Sequence, residues 1–399
     1  MANRRSFLQS FSGLPLIGGL FPAAAAYAAT TPPTPDYFKQ LGVKPFINAA
    51  GTYTALTASL MSRETMQAMD YASRHFYRLG EVQDAVGARI ATLLGAEAAM
   101  VTSGAAGAIL CGTAACIAGK NAMAILQLPD TGGLKDKVIV QKAHRIGYDH
   151  AVRATGAKLV EIETMDELER AADDRTAMLV FFNWKEPEGK ISAADWIAFG
   201  KKRGIPTFND CSADVPPVEN LTKFAKSGFD LVTFSGGKGI CGPQSAGMLI
   251  GRKDLIEAAR MNTSPNSDTI GRGMKVNKEE MLGMLVALEQ FMKRDHKAEW
   301  AEWERRISVI NKAVSAVPGI TTETYVPPIA NHVPHLRLKW DFAKTGVNPL
   351  AVAKALREGD PSIELNPDTS AEQLVVGVWM LQPGEAEIVA KRIRAALKG

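Results

Sequence analysis

Lys238 follows an apolar run and stands among glycines, in Phe234-Ser235-Gly236-Gly237-Lys238-Gly239. An amine held there can be desolvated, which lowers its pKa and makes it a nucleophile toward carbonyl carbon. The flanking glycines let the backbone and a flat ring approach closely. A surface lysine in a glycine turn is the plain alternative. A nucleotide-binding P-loop is not, because the G-x-x-x-x-G-K-[ST] spacing is missing. Asp210 closes the preceding apolar run, Ile205-Pro206-Thr207-Phe208-Asn209-Asp210. A carboxylate in that position can hold a ring nitrogen protonated as a buried ion pair. A loop or helix-capping aspartate is the alternative, and that role suits Asp214 better.

Ser103-Gly104-Ala105-Ala106-Gly107 leads into an alanine-rich stretch that reads as a helix to about Ala118. Backbone N–H groups and the helix dipole at such a start favour a phosphate dianion, although N-capping by Ser103 explains the pattern equally. Ser235 can donate a further hydrogen bond to phosphate. His144, just past a β-branched run, is placed to stack on a ring or to shuttle protons; a satisfied helix-start histidine is the alternative. Asn183, after the run Ala177–Phe182, can reach a ring hydroxyl. A lysine for a Schiff base, an acid for a ring nitrogen, a phosphate cradle and a ring cover together match pyridoxal 5′-phosphate.

These residues need elements that bring them to one edge. Strand-like runs at Ala99–Thr102, Lys137–Val140, Lys158–Ile162, Ala177–Phe182, Ile205–Asp210, Leu231–Phe234 and Gly247–Gly251 alternate with helical segments. That alternation predicts an α/β fold with a mainly parallel sheet, whose ligands bind at the carboxyl ends of strands. Beyond residue 277 the texture changes to a long helical region, Lys278–Val317. Alternating stretches at His335–Trp340 and Leu374–Trp379 follow, separated by a helix near Pro349–Arg357. The expected domains are therefore a large one over 37–277 and a smaller α+β one over 278–399.

The first residues read differently. Asn3-Arg4-Arg5-Ser6-Phe7-Leu8 is similar to a twin-arginine export signal, and Ala26-Tyr27-Ala28 supplies an A-x-A cleavage pattern. The apolar stretch between them is broken by Pro15, Gly18, Gly19 and Pro22, and it falls short of the ~20 residues of a membrane anchor. A removable signal over 1–28 and a proline-rich linker over 29–36 are expected, with a periplasmic or exported destination and no lasting anchor. A formal charge of +4, two of it from Arg4 and Arg5, gives no case for nucleic acid. Cys111, Cys116, Cys211 and Cys241 read as small core residues, and no metal site is expected.

Ser235-Gly236-Gly237-Lys238-Gly239-Ile240-Cys241-Gly242-Pro243-Gln244-Ser245-Ala246-Gly247 resembles the lysine segment of bacterial selenocysteine synthase (seryl-tRNA selenium transferase) and its relatives, D-glucosaminate-6-phosphate ammonia-lyase among them. Asn48-Ala49-Ala50-Gly51-Thr52 resembles the family's N-A-x-G segment near the substrate pocket. The stretches Ile270–Glu279 and Arg357-Glu358-Gly359-Asp360-Pro361 are also family-like. The resemblance implies the PLP-dependent transferase fold type I and a homodimer or larger homo-oligomer with active sites at a subunit interface. A tRNA substrate fits poorly with an exported chain lacking an N-terminal tRNA-binding region. An α,β-eliminating lyase of the ammonia-lyase or dehydratase type, acting on a small amino acid or amino sugar acid, fits better. A selenocysteine synthase-like transferase, an aminotransferase, a racemase and a non-catalytic binding protein are the alternatives. Arg337 is the candidate for substrate carboxylate, Arg272 and Lys275 for phosphate or a partner subunit's site, and Asn48 for the substrate pocket.

Overall fold

A computed structural model describes residues 35–398, so the expected signal and most of the linker lie outside the described residues. Residues up to Pro45 form a unit of their own, in which Asp36 caps a one-turn helix, Tyr37–Gln40, by accepting from Lys39 N at 3.0 Å. The remainder, from Phe46, is a second unit.

Its strands are β1 (Phe46–Ala49), β2 (Ala98–Thr102), β3 (Lys137–Gln141), β4 (Lys158–Ile162), β5 (Thr176–Phe182), β6 (Thr207–Asp210), β7 (Leu231–Ser235), β8 (Gly247–Gly251), β9 (Ile320–Tyr325), β10 (His335–Trp340), β11 (Ser362–Leu365) and β12 (Leu374–Gly377). Seven of them make the central sheet in the order β2-β8-β7-β6-β5-β3-β4. Every residue of β5 is buried, as a strand covered on both faces must be. The Gly104–Ala118 helix packs on one face, against Phe182, Phe208 and Leu231. Phe181, Val232, Phe234 and Trp196 belong to the core of the other face.

One strand breaks the parallel rule. β8 runs antiparallel to both β2 and β7. Residues 236–246 connect β7 to β8 without a crossover helix, so the chain returns beside β7 in the opposite direction.

The C-terminal part departs from the sequence reading in three ways. The long helical region is two helices, Lys278–Lys293 and His296–Val314, because Asp295 caps the second by accepting from Ala298 N. A strand not expected, β9, joins β10 and β12 in an antiparallel sheet. β1 pairs in parallel with β11, and Ile47 and Ala49 are buried in the same core as Ile310, Leu336, Val376 and Ile393. β1 therefore packs with the small C-terminal lobe. Among the described residues no helix is long and apolar enough to cross a membrane.

The cradle helix lies flush on the sheet at Gly112, where an added Cβ would meet the Phe208 ring at 2.6 Å. Gly112→Val should therefore cost about 1–3 kcal/mol through overpacking. Gly80, in the helix Leu79–Leu94, has nothing within 4 Å of such a Cβ. Gly80→Ala should gain roughly 0.4–1 kcal/mol by restricting the unfolded chain. Urea midpoints check both; equal shifts for the two variants would contradict this packing.

Candidate active site

The carboxyl ends of β6 and β7 are neighbours, with Asp210 opposite Thr233. Asp210 is buried, and its Oδ1 accepts from Ser212 N at 2.9 Å. Burial pushes its carboxyl up, while the Lys238 ammonium pulls it down and loses. The half-buried Lys238 shows the mirror image: burial pushes its amine below the ordinary lysine range, against the pull of Asp210 and Asp214. The charges of two carboxylates therefore act on one amine. Desolvation brings both partner types closer to neutrality, the condition under which an amine is nucleophilic.

The glycines around Lys238 serve the protein's own backbone. An added Cβ at Gly239 would meet Val215 O at 2.3 Å, and one at Gly237 would meet Gln244 Cα at 2.5 Å. The lysine loop is thus pressed between the segment after Asp214 and its own return. Two long-range bonds fasten it to the N-terminal segment: Ser59 Oγ donates to Gly237 O at 2.6 Å, and Gln244 Nε2 donates to Thr54 O at 2.9 Å. Cys241, expected in the core, is instead half-exposed in this loop in a left-handed conformation, with Arg294 donating to its Sγ at 3.7 Å. Cys111 and Cys211 are buried as expected, whereas Cys116 is only partly so, and all four are free thiols.

The phosphate cradle has the expected form. Ser103 stands at the N-cap of Gly104–Ala118, and its hydroxyl makes no cap bond. Gly104 takes φ 66, which glycine supplies without strain. Gly247 is held against it so closely that a Cβ there would lie 2.6 Å from Gly104 C and 2.9 Å from Ala105 N. Ser235 is opposite Gly247 on the adjacent strand, and Gly247 is opposite Thr102, so both serines stand at one end of three neighbouring strands. Free serine hydroxyls at a helix N-terminus fit a phosphate, Asp210 fits a ring nitrogen and Lys238 fits an aldehyde. The residues present fit pyridoxal 5′-phosphate.

Four other candidates, His144, Asn183, Asn48 and Arg337, have partners of their own. His144 is wholly enclosed, its ring 4.4 Å edge-on from Phe181 and its Nδ1 accepting from Phe182 N at 3.2 Å. Phe181 faces away from the cradle helix, and burial pushes the imidazole down to about 4, so it is neutral at pH 7. Asn183 donates to Asp214 Oδ1 at 3.0 Å and accepts from Asn209 at 3.3 Å, which spends it on holding Asp214. Asn48 folds the N-A-x-G turn, accepting from Ala50 N and Gly51 N at 3.1 and 3.0 Å. Arg337 donates to Glu323 at 2.7 Å and lies 4.0 Å over the Tyr325 ring. Arg272 and Lys275 are exposed, next to Met274, whose Sδ lies beside Gly107 on the cradle helix. The sequence reading did not find the second carboxylate at Lys238, Asp214, or the clasps Ser59, Gln244 and Asn366. The last donates to Ala50 O and to the Tyr53 hydroxyl. Their partners are too remote in sequence for spacing to signal them.

Three comparisons with known proteins agree with this geometry. The family model described as SelA, L-seryl-tRNA selenium transferase, matches residues 46–315. D-glucosaminate-6-phosphate ammonia lyase of Salmonella typhimurium is 28% identical over 90% of this chain and 98% of its own. A 5′-C-glycyluridine monooxygenase-decarboxylase of a Streptomyces species is 29% identical over 90% and 92%. A solved D-glucosaminate-6-phosphate ammonia-lyase structure superposes with a TM-score of 0.80 at 26% identity, covering 92% of this chain and 99% of that one.

Burial raises Asp214 from 3.8 to about 7, so the folded protein keeps a proton that the unfolded chain has released. Its contribution to stability is therefore full below 3.8 and is lost as pH rises through about 7. His144 acts oppositely, its contribution being lost as pH falls from 6.5 toward about 4. Asp214→Asn removes the first effect and leaves the second. Wild-type stability relative to Asp214→Asn should fall steadily across that interval in urea titrations; a pH-independent difference would contradict the assignment.

Proposed function

Since this chain belongs to the L-seryl-tRNA selenium transferase family, we propose that it is a lyase that releases ammonia from small 2-amino-3-hydroxy acids, amino sugar acids above all. It is an enzyme, and its cofactor is pyridoxal phosphate. The observation that carries the reading is the Lys238 amine, desolvated, acted on by the charges of Asp210 and Asp214, and one strand row from the serine-lined helix start.

The cofactor, when bound, supplies a ring that withdraws electrons from the substrate's Cα. Ser103, Ser235 and the first turn of Gly104–Ala118 would hold its phosphate, and Asp210 would hold the proton of its ring nitrogen. Lys238 would take the Cα proton, burial lowering its pKa toward that of a general base. Loss of the β-hydroxyl as water and hydrolysis of the resulting enamine give one keto acid and one ammonia per substrate. Arg272 and Lys275, exposed beside the cradle helix, suit a carboxylate or phosphate presented at a neighbouring subunit. Arg337 keeps a lesser claim on the substrate carboxylate, because Glu323 already neutralises it.

A homo-oligomer is part of this proposal. The helix Arg63–Ser73 exposes Met66 and Tyr71, and Phe76 and Tyr77 stand in water just after it. Such a patch suits an interface. Export through the twin-arginine route is proposed on Arg4-Arg5 and Ala26-Tyr27-Ala28.

Purified protein supplied with pyridoxal phosphate should convert D-glucosaminate or a related 2-amino-3-hydroxy acid to equal amounts of keto acid and ammonia. Lys238→Ala should lower kcat by roughly 10²–10⁴-fold, the range of a positioned proton-transfer group. Racemisation without ammonia, or oxygen uptake with release of carbon dioxide, would replace elimination as the activity. Phe76→Asp should halve the mass measured by light scattering, and replacing Arg4 and Arg5 by lysines should hold the uncleaved precursor in the cytoplasm.

A further inference from the structure

On the sheet face away from the cradle helix lies a cavity of about 380 Å³ that takes no part in holding the cofactor. Its floor is polar and its walls are apolar, the latter including Ile197, Phe224 and Phe229. In the floor, Asn209 donates to Asn183 and Asn183 donates to Asp214. Some acceptors of this floor are left under-satisfied. Asn209 is wholly buried and its Oδ1 has no hydrogen-bond partner among the described residues. Asp214 is buried and takes only a backbone N–H, from Ala330, besides Asn183. Glu186, also lining the cavity, forms no ion pair among the described residues.

Asp214 and Glu186 both line the cavity. Burial pushes the adjacent Cys211 thiol well above its ordinary range, and the charges of Asp214, Asp210 and Glu186 push it further, with Lys223 opposing. The roof is a loop whose Ala330 and Asn331 both take left-handed φ, 53 and 46, and Asn331 N is tied to Ala213 O at 2.8 Å. Two successive non-glycine residues in that conformation are strained and persist only where their surroundings hold them.

We propose that this cavity is a second ligand site that takes an ammonium group on the acceptors of Asn209, Asp214 and Glu186. A buried amide oxygen without a partner, beside two carboxyl groups, calls for a ligand that brings a donor and positive charge. Exposed Lys223 at the same cavity gives a carboxylate on that ligand somewhere to go, so the ammonium group can belong to the free ion or to a small amino acid. The site communicates with the catalytic amine, because Asp214 lies in both the cavity and the field of Lys238.

Titration calorimetry of the holoenzyme with ammonium chloride and with glycine tests the proposal, with tetramethylammonium chloride as the cation that cannot donate. Saturable binding of ammonium, glycine or both is expected, and the responding probe identifies the source of the ammonium group. Asn209→Leu should weaken that binding by about tenfold or more, the loss of one charged hydrogen bond. Glu186→Gln, in a surface turn that tolerates substitution, should weaken it similarly and covers the case in which Asn209→Leu does not fold. No binding of either amine, equal binding of tetramethylammonium, or unchanged affinity in every folded variant would overturn it.

Discussion

The structure turns on the desolvated amine of Lys238 and the charges of Asp210 and Asp214 that act on it. Burial works against charge on all three, lowering the amine and raising both carboxyls, while their mutual attraction works the other way. Neither tendency is complete, which leaves an amine able to bond to carbon and acids able to keep a proton. The parallel sheet makes this arrangement possible by ending β6 and β7 side by side. Asn183 then fixes the second carboxylate from the end of β5.

Holding the lysine loop there draws on segments far apart in the chain. Gly237 O is fastened by Ser59, Thr54 O by Gln244, and Ala50 O by Asn366 from the C-terminal lobe. The lobe and the N-terminal strand share one core, and Asn366 ties the lobe to the turn that Asn48 folds. The glycines of the loop matter because other backbone crowds them. Larger residues would displace the loop before they displaced any ligand.

Much of the large domain was legible in the sequence because its strands are continuous apolar runs ended by polar residues with chemistry to do. Asp210 ends β6, and Ser103 and Lys238 follow β2 and β7, as those runs predict. His144 and Asn183 also follow strands, but strand alternation sends Phe181, against which His144 packs, to the face away from the cradle helix. The position of a residue along the chain gives the strand end and leaves the face undecided. β1 and β11 are four residues each, too short for alternation to register, so the packing of β1 with the small lobe was not readable. Arg337 was chosen for its charge, and only its neighbour across the β9–β10 pairing, Glu323, shows that the charge is already matched.

The central claim is that Lys238 is the residue that joins the cofactor. The full chain loaded with pyridoxal phosphate, reduced with borohydride and digested, should carry one phosphopyridoxyl group, on the peptide containing Lys238. Asp210→Asn should retain that attachment with an altered visible spectrum, and Lys238→Ala should lose it. A reduced cofactor found on another lysine, or none on the wild-type chain, would contradict the account.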